Sequence, residues 1–296
     1  MFKNSNNLPS EEGFINVTGG RIWYKIVGSG ISTPLLVLHG GPGIPHDYLE
    51  PLAVLAENRP VIFYDQLGCG RSDRPNSPAL WHLDRFVQEI VQIRLALRLS
   101  KINLLGHSWG AMVVVDYMLT KPEGVEKMIL ASPSLSVTRW KEDAQSYIRN
   151  LPVEIQKVIE FHENNGTVNS DAYKDAEREY SIRHFCRIVP KPEPLLASEK
   201  SANWEIYETM WGHNEWTVTG NLKSYERIHC LAETSLPTLF TCGKYDEASP
   251  DTTAFYQKHI VGAKLKIFEK SSHVPHLEET ESYLQTIELF LNCISK

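Results

Sequence analysis

A serine between two glycines is the feature of this 296-residue chain that most strongly indicates chemistry. The sequence Gly106-His107-Ser108-Trp109-Gly110 matches the pattern G-x-S-x-G. It lies directly after the apolar run 102–105 and directly before the apolar stretch 111–119. Glycines on both sides permit a tight strand-to-helix turn that presents the serine hydroxyl. We therefore expect Ser108 to be the nucleophile of an acyl transfer.

A serine hydroxyl needs a base beside it, and the base needs an acidic group that orients it. With this kind of turn, the acid and then the histidine follow the serine along the chain. Asp246 comes after the apolar run 239–242, and His273 comes after the run 265–268. We predict Asp246 as the orienting acid and His273 as the base. Glu247 is an alternative acid, and His276 is an alternative base.

The attacked carbonyl oxygen becomes negatively charged, and two N–H donors should stabilise that charge. One predicted donor is the N–H of Trp109, the residue after the nucleophile. The other should belong to a glycine loop that follows an early strand. The sequence H-G-G-P-G at 39–43 follows the apolar run 35–38, so we predict the Gly41 N–H as the second donor of this oxyanion hole.

The cysteine and histidine patterns indicate neither a metal nor a cofactor. The five cysteines are widely spaced without a C-x-x-C pair, and no H-x-x-x-H pair lies on a predicted helix. We therefore expect no zinc site and no disulfide framework. Residues 1–7 contain no apolar segment of a secretory signal, and residues 294–296 are no retention signal. Together with the unpaired cysteines, this predicts a cytoplasmic protein.

Alternating strands and helices are predicted to position these residues. Gly19 and Gly20 separate two segments of alternating apolar residues, which is typical of a β-hairpin. Short apolar runs at 35–39 and 61–64 predict strands that are buried on both faces of a mostly parallel sheet. Further strands are expected at 102–105, 127–130, 238–241 and 264–268. Apolar residues at steps of three and four from Leu83 to Leu97 predict an amphipathic helix. Further helices are expected at 111–119 and 279–293.

The middle of the chain interrupts this alternation. From about residue 135 to 235 it is rich in charged and aromatic residues, and residues 171–187 are predicted to be helical. The alternation of strands and helices resumes at 237–241. We therefore predict an α/β core formed by residues 1–134 and 236–296, with residues 135–235 inserted as a helical cap over one edge of the sheet.

The composition excludes several classes of protein. The net charge is −6 and no basic block is present, which argues against a nucleic-acid partner. The longest apolar runs are far shorter than the ~18 residues of a membrane span. A hydrophobic fraction of 42% with 10% aromatic residues is enough for a large buried core. A globular enzyme is the class that remains.

Three blocks of sequence together resemble the proline iminopeptidase family, whose members have the α/β-hydrolase fold. They are H-G-G-P-G at 39–43, D-Q-L-G-C-G-R-S at 65–72 and G-H-S-W-G at 106–110. The segments M-W-G-H-N-E-W at 210–216 and G-K-Y-D-E at 243–247 are also similar to the tricorn-interacting aminopeptidase branch. The resemblance covers nearly the whole chain. It implies an enzyme that removes an N-terminal residue, often proline, from a short peptide. In the loop after Asp65, we expect an ion pair between Arg71 and Asp73.

The resemblance also implies a site for the N-terminal amine of the substrate. In that family acidic residues hold the free α-ammonium, and the matching positions here are Glu215 and Glu247. A carboxylate pair in a partly dry pocket attracts a cation and disfavours a substrate that lacks one. The chain departs from the family pattern beside Glu215, so N-terminal leucine, alanine or aromatic residues stay open alongside proline. Trp216 and Trp211 either shape the pocket for the first residue or belong to the core of the cap.

Two other functions are compatible with these residues. An amino-acid amidase or esterase would use the same serine, histidine and aspartate and would have no need of a free N-terminus. A ligand receptor with the α/β-hydrolase fold and no catalysis is the non-enzymatic alternative. The presence of all of Ser108, Asp246 and His273 argues against the receptor. The expected partners are short peptides or aminoacyl amides, and the oligomeric state stays open.

Overall fold

A computed structural model describes residues 8–293 of the chain. The two ends that we searched for targeting signals, residues 1–7 and 294–296, lie outside this range. Within residues 8–293, none of the helices combines the length and the apolar character that crossing a membrane requires.

Within residues 8–293, eight strands form one sheet: β1 (Ser10–Val17), β2 (Gly20–Val27), β3 (Leu35–Leu38), β4 (Val61–Tyr64), β5 (Ile102–His107), β6 (Val125–Ala131), β7 (Thr238–Gly243) and β8 (Lys264–Phe268). Their order across the sheet is β1-β2-β4-β3-β5-β6-β7-β8. β1 and β2 form the predicted antiparallel hairpin, and β2 also pairs antiparallel with β4. All other neighbours are parallel. The predicted α/β fold with a mostly parallel sheet is confirmed.

Ten α-helices accompany the sheet in the described part of the chain: α1 (Leu83–Ala96), α2 (Trp109–Leu119), α3 (Val137–Arg149), α4 (Val153–Asn164), α5 (Asp171–His184), α6 (Glu193–Lys200), α7 (Trp204–Met210), α8 (Pro250–Gln257), α9 (Pro275–Glu278) and α10 (Thr280–Asn292). The helices predicted near 83–97, 111–119, 171–187 and 279–293 correspond to α1, α2, α5 and α10. A segment of 3-10 helix at His46–Glu57 was not predicted. Pro51 within it is incompatible with a regular α-helix.

Different elements cover the two faces of the sheet. Successive side chains of a strand point to opposite faces. Leu36 and Ile62 therefore pack with α1 and α2, whereas Val37 and Phe63 pack with the His46–Glu57 segment and α10. Burial of both faces explains why β3 and β4 are apolar at every position. The parallel strands β3 and β5–β8 all end at the same edge of the sheet, where the loops with the candidate site residues begin.

Five of the helices, α3 to α7, lie between β6 and β7, in the stretch predicted as a cap. Tyr173 and Tyr180 of α5 belong to an apolar cluster within this stretch. Trp211, by contrast, belongs to the large cluster that also contains α1 and α2. Its ring packs edge to face on Trp140, with 5.5 Å between the ring centroids. Trp211 therefore helps to attach the helical stretch to the sheet.

The ion pair expected between Arg71 and Asp73 is not formed. Asp73 instead accepts from the Arg21 guanidinium at 3.2 Å. Arg71 contacts Asp47 at 3.1 Å and Asp65 at 3.6 Å. The expectation was based on proximity along the chain, whereas Arg21 comes from β2 and Asp47 from the 3-10 helix that was not predicted.

Candidate active site

Ser108 lies on a sharp turn between β5 and α2. Its φ of 55° and ψ of −118° are rare for a residue with a side chain. Close packing explains both glycines of the motif. A Cβ on Gly106 would lie 2.4 Å from the carbonyl oxygen of Gly110, and a Cβ on Gly110 would lie 2.4 Å from that of Leu38. The structure therefore has the strand-to-helix turn that the motif predicts.

The loops after β7 and β8 bring Asp246 and His273 together. His273 Nδ1 lies 2.7 Å from Asp246 Oδ1, and both side chains are buried. The same carboxylate accepts the N–H groups of Gly243 at 3.2 Å and Ala248 at 2.8 Å, and the Ser132 hydroxyl at 2.6 Å. Because the carboxylate accepts at Nδ1, that nitrogen carries the proton and His273 Nε2 is left able to accept one.

The two alternative residues occupy other positions. Glu247 is next to Asp246 in sequence, but its Oε1 lies 3.8 Å from His273 Nε2, on the other side of the ring from Asp246. His276 is completely buried, and burial lowers its pKa to about 3. Its ring packs 5.3 Å from the ring of His107. The geometry therefore favours Asp246 as the acid and His273 as the base.

Ser108 and His273 line a common cavity of about 350 Å³, together with Gly41 and Glu215. The Trp109 N–H belongs to the first residue of α2, and the first N–H groups of a helix have no acceptor within it. Gly41 lies on the loop after β3 with a φ of 110°, which favours glycine. Both predicted oxyanion donors thus belong to segments that adjoin this cavity.

A line of hydrogen bonds that the sequence did not reveal connects the glycine loop with His273. The Gly40 N–H donates to the Tyr48 hydroxyl at 2.7 Å, and this hydroxyl lies 2.8 Å from His107 Nδ1. His107 Nε2 lies 2.8 Å from the carbonyl oxygen of His273. Because a carbonyl can only accept, Nε2 carries the proton and Tyr48 donates to Nδ1. Burial lowers the pKa of His107 well below its usual range, so this ring stays neutral.

Glu247 is a carboxylate enclosed within the protein. It is 1% exposed, and neither of its oxygens has a hydrogen-bond partner among residues 8–293. Burial raises its pKa well above the usual range, and the neighbouring Glu215 and Asp246 raise it further. Buried polar groups are nearly always hydrogen-bonded in native proteins, and an unsatisfied one is costly. Both oxygens of Glu247 are therefore free to accept further hydrogen bonds.

Glu215 approaches the same region from the loop after α7. Burial raises the pKa of its carboxyl, while His273 and the Tyr207 hydroxyl act in the opposite direction. Asn214 holds the loop, because its Oδ1 accepts the N–H of Trp216 at 3.2 Å. The structure therefore places both predicted amine-binding residues close to His273, although they come from different parts of the chain.

A larger cavity of about 740 Å³ adjoins the first one. The two cavities share the wall residues Ile44, Phe185, Leu195, Tyr207 and Glu215. Trp216 lines the larger cavity, and its ring packs against that of Tyr180 with 4.9 Å between the centroids. Trp216 thus lies where a pocket for the substrate is expected, whereas Trp211 is a packing residue.

Three side chains of metal-binding type meet elsewhere in the fold. One ligand atom each of His46, Asp47 and Asp65 lies within 4.8 Å of the others. His46 Nδ1 is 2.6 Å from Asp65, and the Arg71 guanidinium contacts both aspartates. The positive charge of Arg71 already compensates these carboxylates, so we interpret the group as a buried ion-pair cluster beside the 65–72 turn.

Comparisons with known proteins agree with this architecture. A family model described as alpha/beta hydrolase fold matches residues 33–280. The proline iminopeptidase of Heyndrickxia coagulans is 46% identical over 286 residues, which are 96% of this chain and 99% of that protein. The proline iminopeptidase of Clostridium botulinum is 37% identical over 95% of this chain and 98% of its own length.

Two solved structures are similar over nearly the whole chain. The crystal structure of VinJ superposes with a TM-score of 0.91 at 32% identity, covering 96% of this chain and 98% of that one. The proline iminopeptidase of Mycobacterium smegmatis superposes with a TM-score of 0.88 at 32% identity, covering 95% and 97%. The resemblance found in the sequence blocks is thereby confirmed, and the chain belongs to the proline iminopeptidase family of α/β-hydrolase proteins.

Proposed function

We propose that this chain is a serine aminopeptidase that releases N-terminal proline from short peptides. The observation that carries the proposal is the buried Glu247 carboxylate, which has no hydrogen-bond partner among the described residues and lies 3.8 Å from His273 Nε2. An ammonium group is the ligand that would satisfy a carboxylate there. The activity named for the relatives from Heyndrickxia coagulans and Clostridium botulinum supports the same assignment. The unpaired cysteines are compatible with action in the cytoplasm.

Recognition of the substrate begins at its N-terminus. The free ammonium binds between Glu215 and Glu247, and this contact brings the first carbonyl group to Ser108. A residue inside a peptide carries no ammonium and would leave both carboxylates uncompensated, which is unfavourable in a buried site. The enzyme therefore acts on the first peptide bond.

The chemistry follows from the groups around Ser108. Its hydroxyl attacks the first carbonyl while His273 Nε2 takes the proton, and Asp246 stabilises the imidazolium that forms. The N–H groups of Gly41 and Trp109 bind the oxyanion. His273 then gives its proton to the leaving amine. Water, activated by the same histidine, hydrolyses the acyl enzyme and releases the first residue.

The proposed activity is tested with coumarin amides of single amino acids. We expect prolyl-7-amido-4-methylcoumarin to release the fluorophore, and its alanyl, leucyl and phenylalanyl counterparts define the preference for the first residue. The esterase alternative predicts another result. If neutral esters are hydrolysed and none of the aminoacyl amides with a free amine is, the proposed function is wrong.

The raised carboxyl pKa values predict a particular pH dependence. Glu215 and Glu247 must be ionised to bind an ammonium, and burial raises the pKa of both above the usual range. On acidification, both groups therefore become protonated at a higher pH than ordinary carboxyl groups, which titrate near ~4.3. Bound ammonium stabilises the ionised forms. We expect kcat/KM, which reports the free enzyme, to fall at a higher pH than kcat, which reports the complex.

Measurement of kcat and kcat/KM for a prolyl amide from pH 4 to pH 9 tests this predicted difference in pH dependence. Because the base must also be neutral, both constants should fall on the acid side. Coincident acid limbs would show that the two carboxyl groups do not govern substrate binding. Glu247→Gln should move the acid limb of kcat/KM towards that of kcat.

A further inference from the structure

His39 is a completely buried histidine that lies directly after β3 and directly before Gly40 and Gly41. The backbone N–H of Gln66 lies 2.9 Å from His39 Nε2. Because a backbone N–H can only donate, Nε2 is the acceptor of this hydrogen bond. Burial lowers the pKa of His39 to about 4, so the ring is neutral near pH 7. The single ring proton of His39 is therefore on Nδ1.

This proton is directed at the backbone of the glycine loop. His39 Nδ1 lies 2.9 Å from the carbonyl oxygen of Gly40 and donates to it. The peptide bond between Gly40 and Gly41 is trans, so its carbonyl and its N–H lie in one plane and point in opposite directions. A hydrogen bond that holds the Gly40 carbonyl therefore also fixes the direction of the Gly41 N–H.

The glycine loop runs beside the nucleophile. Gly40 and Gly41 both line the cavity that contains Ser108, whereas His39 is not among its wall residues. A Cβ on Gly40 would lie 3.3 Å from the Cβ of Ser108. With the Gly40 carbonyl turned towards the buried His39 ring, the Gly41 N–H faces the cavity side of the loop.

Gln66 connects the same histidine with the second predicted oxyanion donor. Its side chain is completely buried, and its Nε2 donates to the carbonyl oxygen of His39 at 3.2 Å. Its Oε1 accepts the indole N–H of Trp109 at 2.8 Å. Since a carbonyl only accepts and an indole N–H only donates, both ends of this amide are fixed. Gln66 thus links the segments that carry the Gly41 and Trp109 N–H groups.

We propose that His39 is a positioning residue for the oxyanion hole: its Nδ1–H holds the Gly40 carbonyl and thereby directs the Gly41 N–H at the developing oxyanion. This proposal rests on the serine acyl transfer of the proposed function. An oxyanion donor is effective because it is aligned before the reaction, and a misplacement of about 1 Å can cost about 10²-fold in rate. Glycine allows the backbone unusual rotational freedom, so this loop needs a restraint from outside.

Two substitutions of His39 separate the roles of its ring nitrogens. Asparagine places an amide N–H where Nδ1 lies and can still donate to Gly40. Glutamine reaches the place of Nε2 and can still accept from Gln66, but it has no donor for Gly40. We expect His39→Gln to lower kcat for the prolyl amide by about 10²-fold, with KM changed less than about twofold because the ammonium still binds. His39→Asn is the matched control and should keep kcat within about fivefold of the wild type.

Labelling by a fluorophosphonate separates this proposal from the aminopeptidase function. The reaction places an oxygen on phosphorus in the same hole and needs no ammonium. We expect the rate of labelling of Ser108 to fall by more than about tenfold in His39→Gln and to change little in His39→Asn. A wild type that is labelled but does not hydrolyse the prolyl amide would contradict the proposed function, while the rates of labelling would still test His39.

Two kinetic outcomes would overturn the proposal, provided that melting curves show both variants folded. Equal losses of kcat in His39→Gln and His39→Asn would show that the ring only fills space. Wild-type kcat in His39→Gln would show that the Gly40 carbonyl needs no donor. If the variants do not fold, nitrogen NMR of the wild-type enzyme decides. We expect the His39 proton on Nδ1, and a proton on Nε2 would overturn the proposal.

Discussion

Replacement of Ser108 by alanine should lower kcat for a prolyl amide by at least about 10³-fold. The variant keeps the amine-binding carboxylates and the oxyanion donors but has no oxygen that can attack. We therefore expect KM to change little, because the ammonium still binds to Glu215 and Glu247. Steady-state kinetics on the coumarin amide measure the loss, and a melting curve verifies that the variant is folded.

Ser134→Ala is the matched control for this variant. Ser134 is 2% exposed, and its hydroxyl has no hydrogen-bond partner among the described residues, so its removal should leave activity unchanged. A fluorophosphonate probe should label the wild type and Ser134→Ala but not Ser108→Ala. Near-wild-type activity of Ser108→Ala would show that another group is the nucleophile. A wild type that neither reacts with the probe nor hydrolyses the amide would support the non-catalytic receptor.

Glu247→Gln should have the second large effect, on substrates with a free amine. Glutamine cannot compensate an ammonium, and removing one member of a buried charged pair costs about 2–5 kcal/mol. This corresponds to a loss of roughly 30- to 5000-fold in kcat/KM for the prolyl amide. The exposed Glu208 on α7 provides the control, because Glu208→Gln makes the same change of charge at the protein surface. A loss of less than threefold for Glu247→Gln would argue against an amine contact.

The same substitution should stabilise the protein without substrate. The pKa of Glu247 is raised in the folded state, so its contribution to stability is present below the ordinary carboxyl pKa of ~4.3 and is lost as pH rises through the folded-state value. At neutral pH the buried carboxyl is therefore destabilising. We expect Glu247→Gln to raise Tm at pH 7 by about 2–4 °C for each kcal/mol relieved, and to raise it less at pH 4. A lower Tm at pH 7 would show that the carboxylate has a partner in the folded protein.

The sequence predicts the sheet and the residues at its edge for a common reason. Ser108, Asp246 and His273 each follow a short apolar run, and parallel strands end at the same edge of a sheet. The predicted strands alone therefore place these three residues near one another. The role of Glu215 depends on the family resemblance, because its loop after α7 has no pattern that shows which way the side chain faces.

Other site residues depend on tertiary contacts that no local pattern encodes. Tyr48 comes from a 3-10 helix that contains a proline, and its contacts with Gly40 and His107 become visible only in the folded structure. Ser132 carries a weak signal, since it follows β6 at the edge where the site forms. The division into a core and a cap at residues 135 and 235 stays a prediction.

The requirement for a free N-terminus is the central claim, and one pair of peptides tests it most directly. The peptides are Pro-Leu-Gly-Gly and its N-acetylated twin, incubated with the wild-type enzyme and followed by mass spectrometry. We expect the free peptide to yield proline and Leu-Gly-Gly, while the acetylated peptide remains intact after the same time. Cleavage of both peptides at similar rates would contradict the requirement for a free N-terminus, because recognition would then not depend on the ammonium.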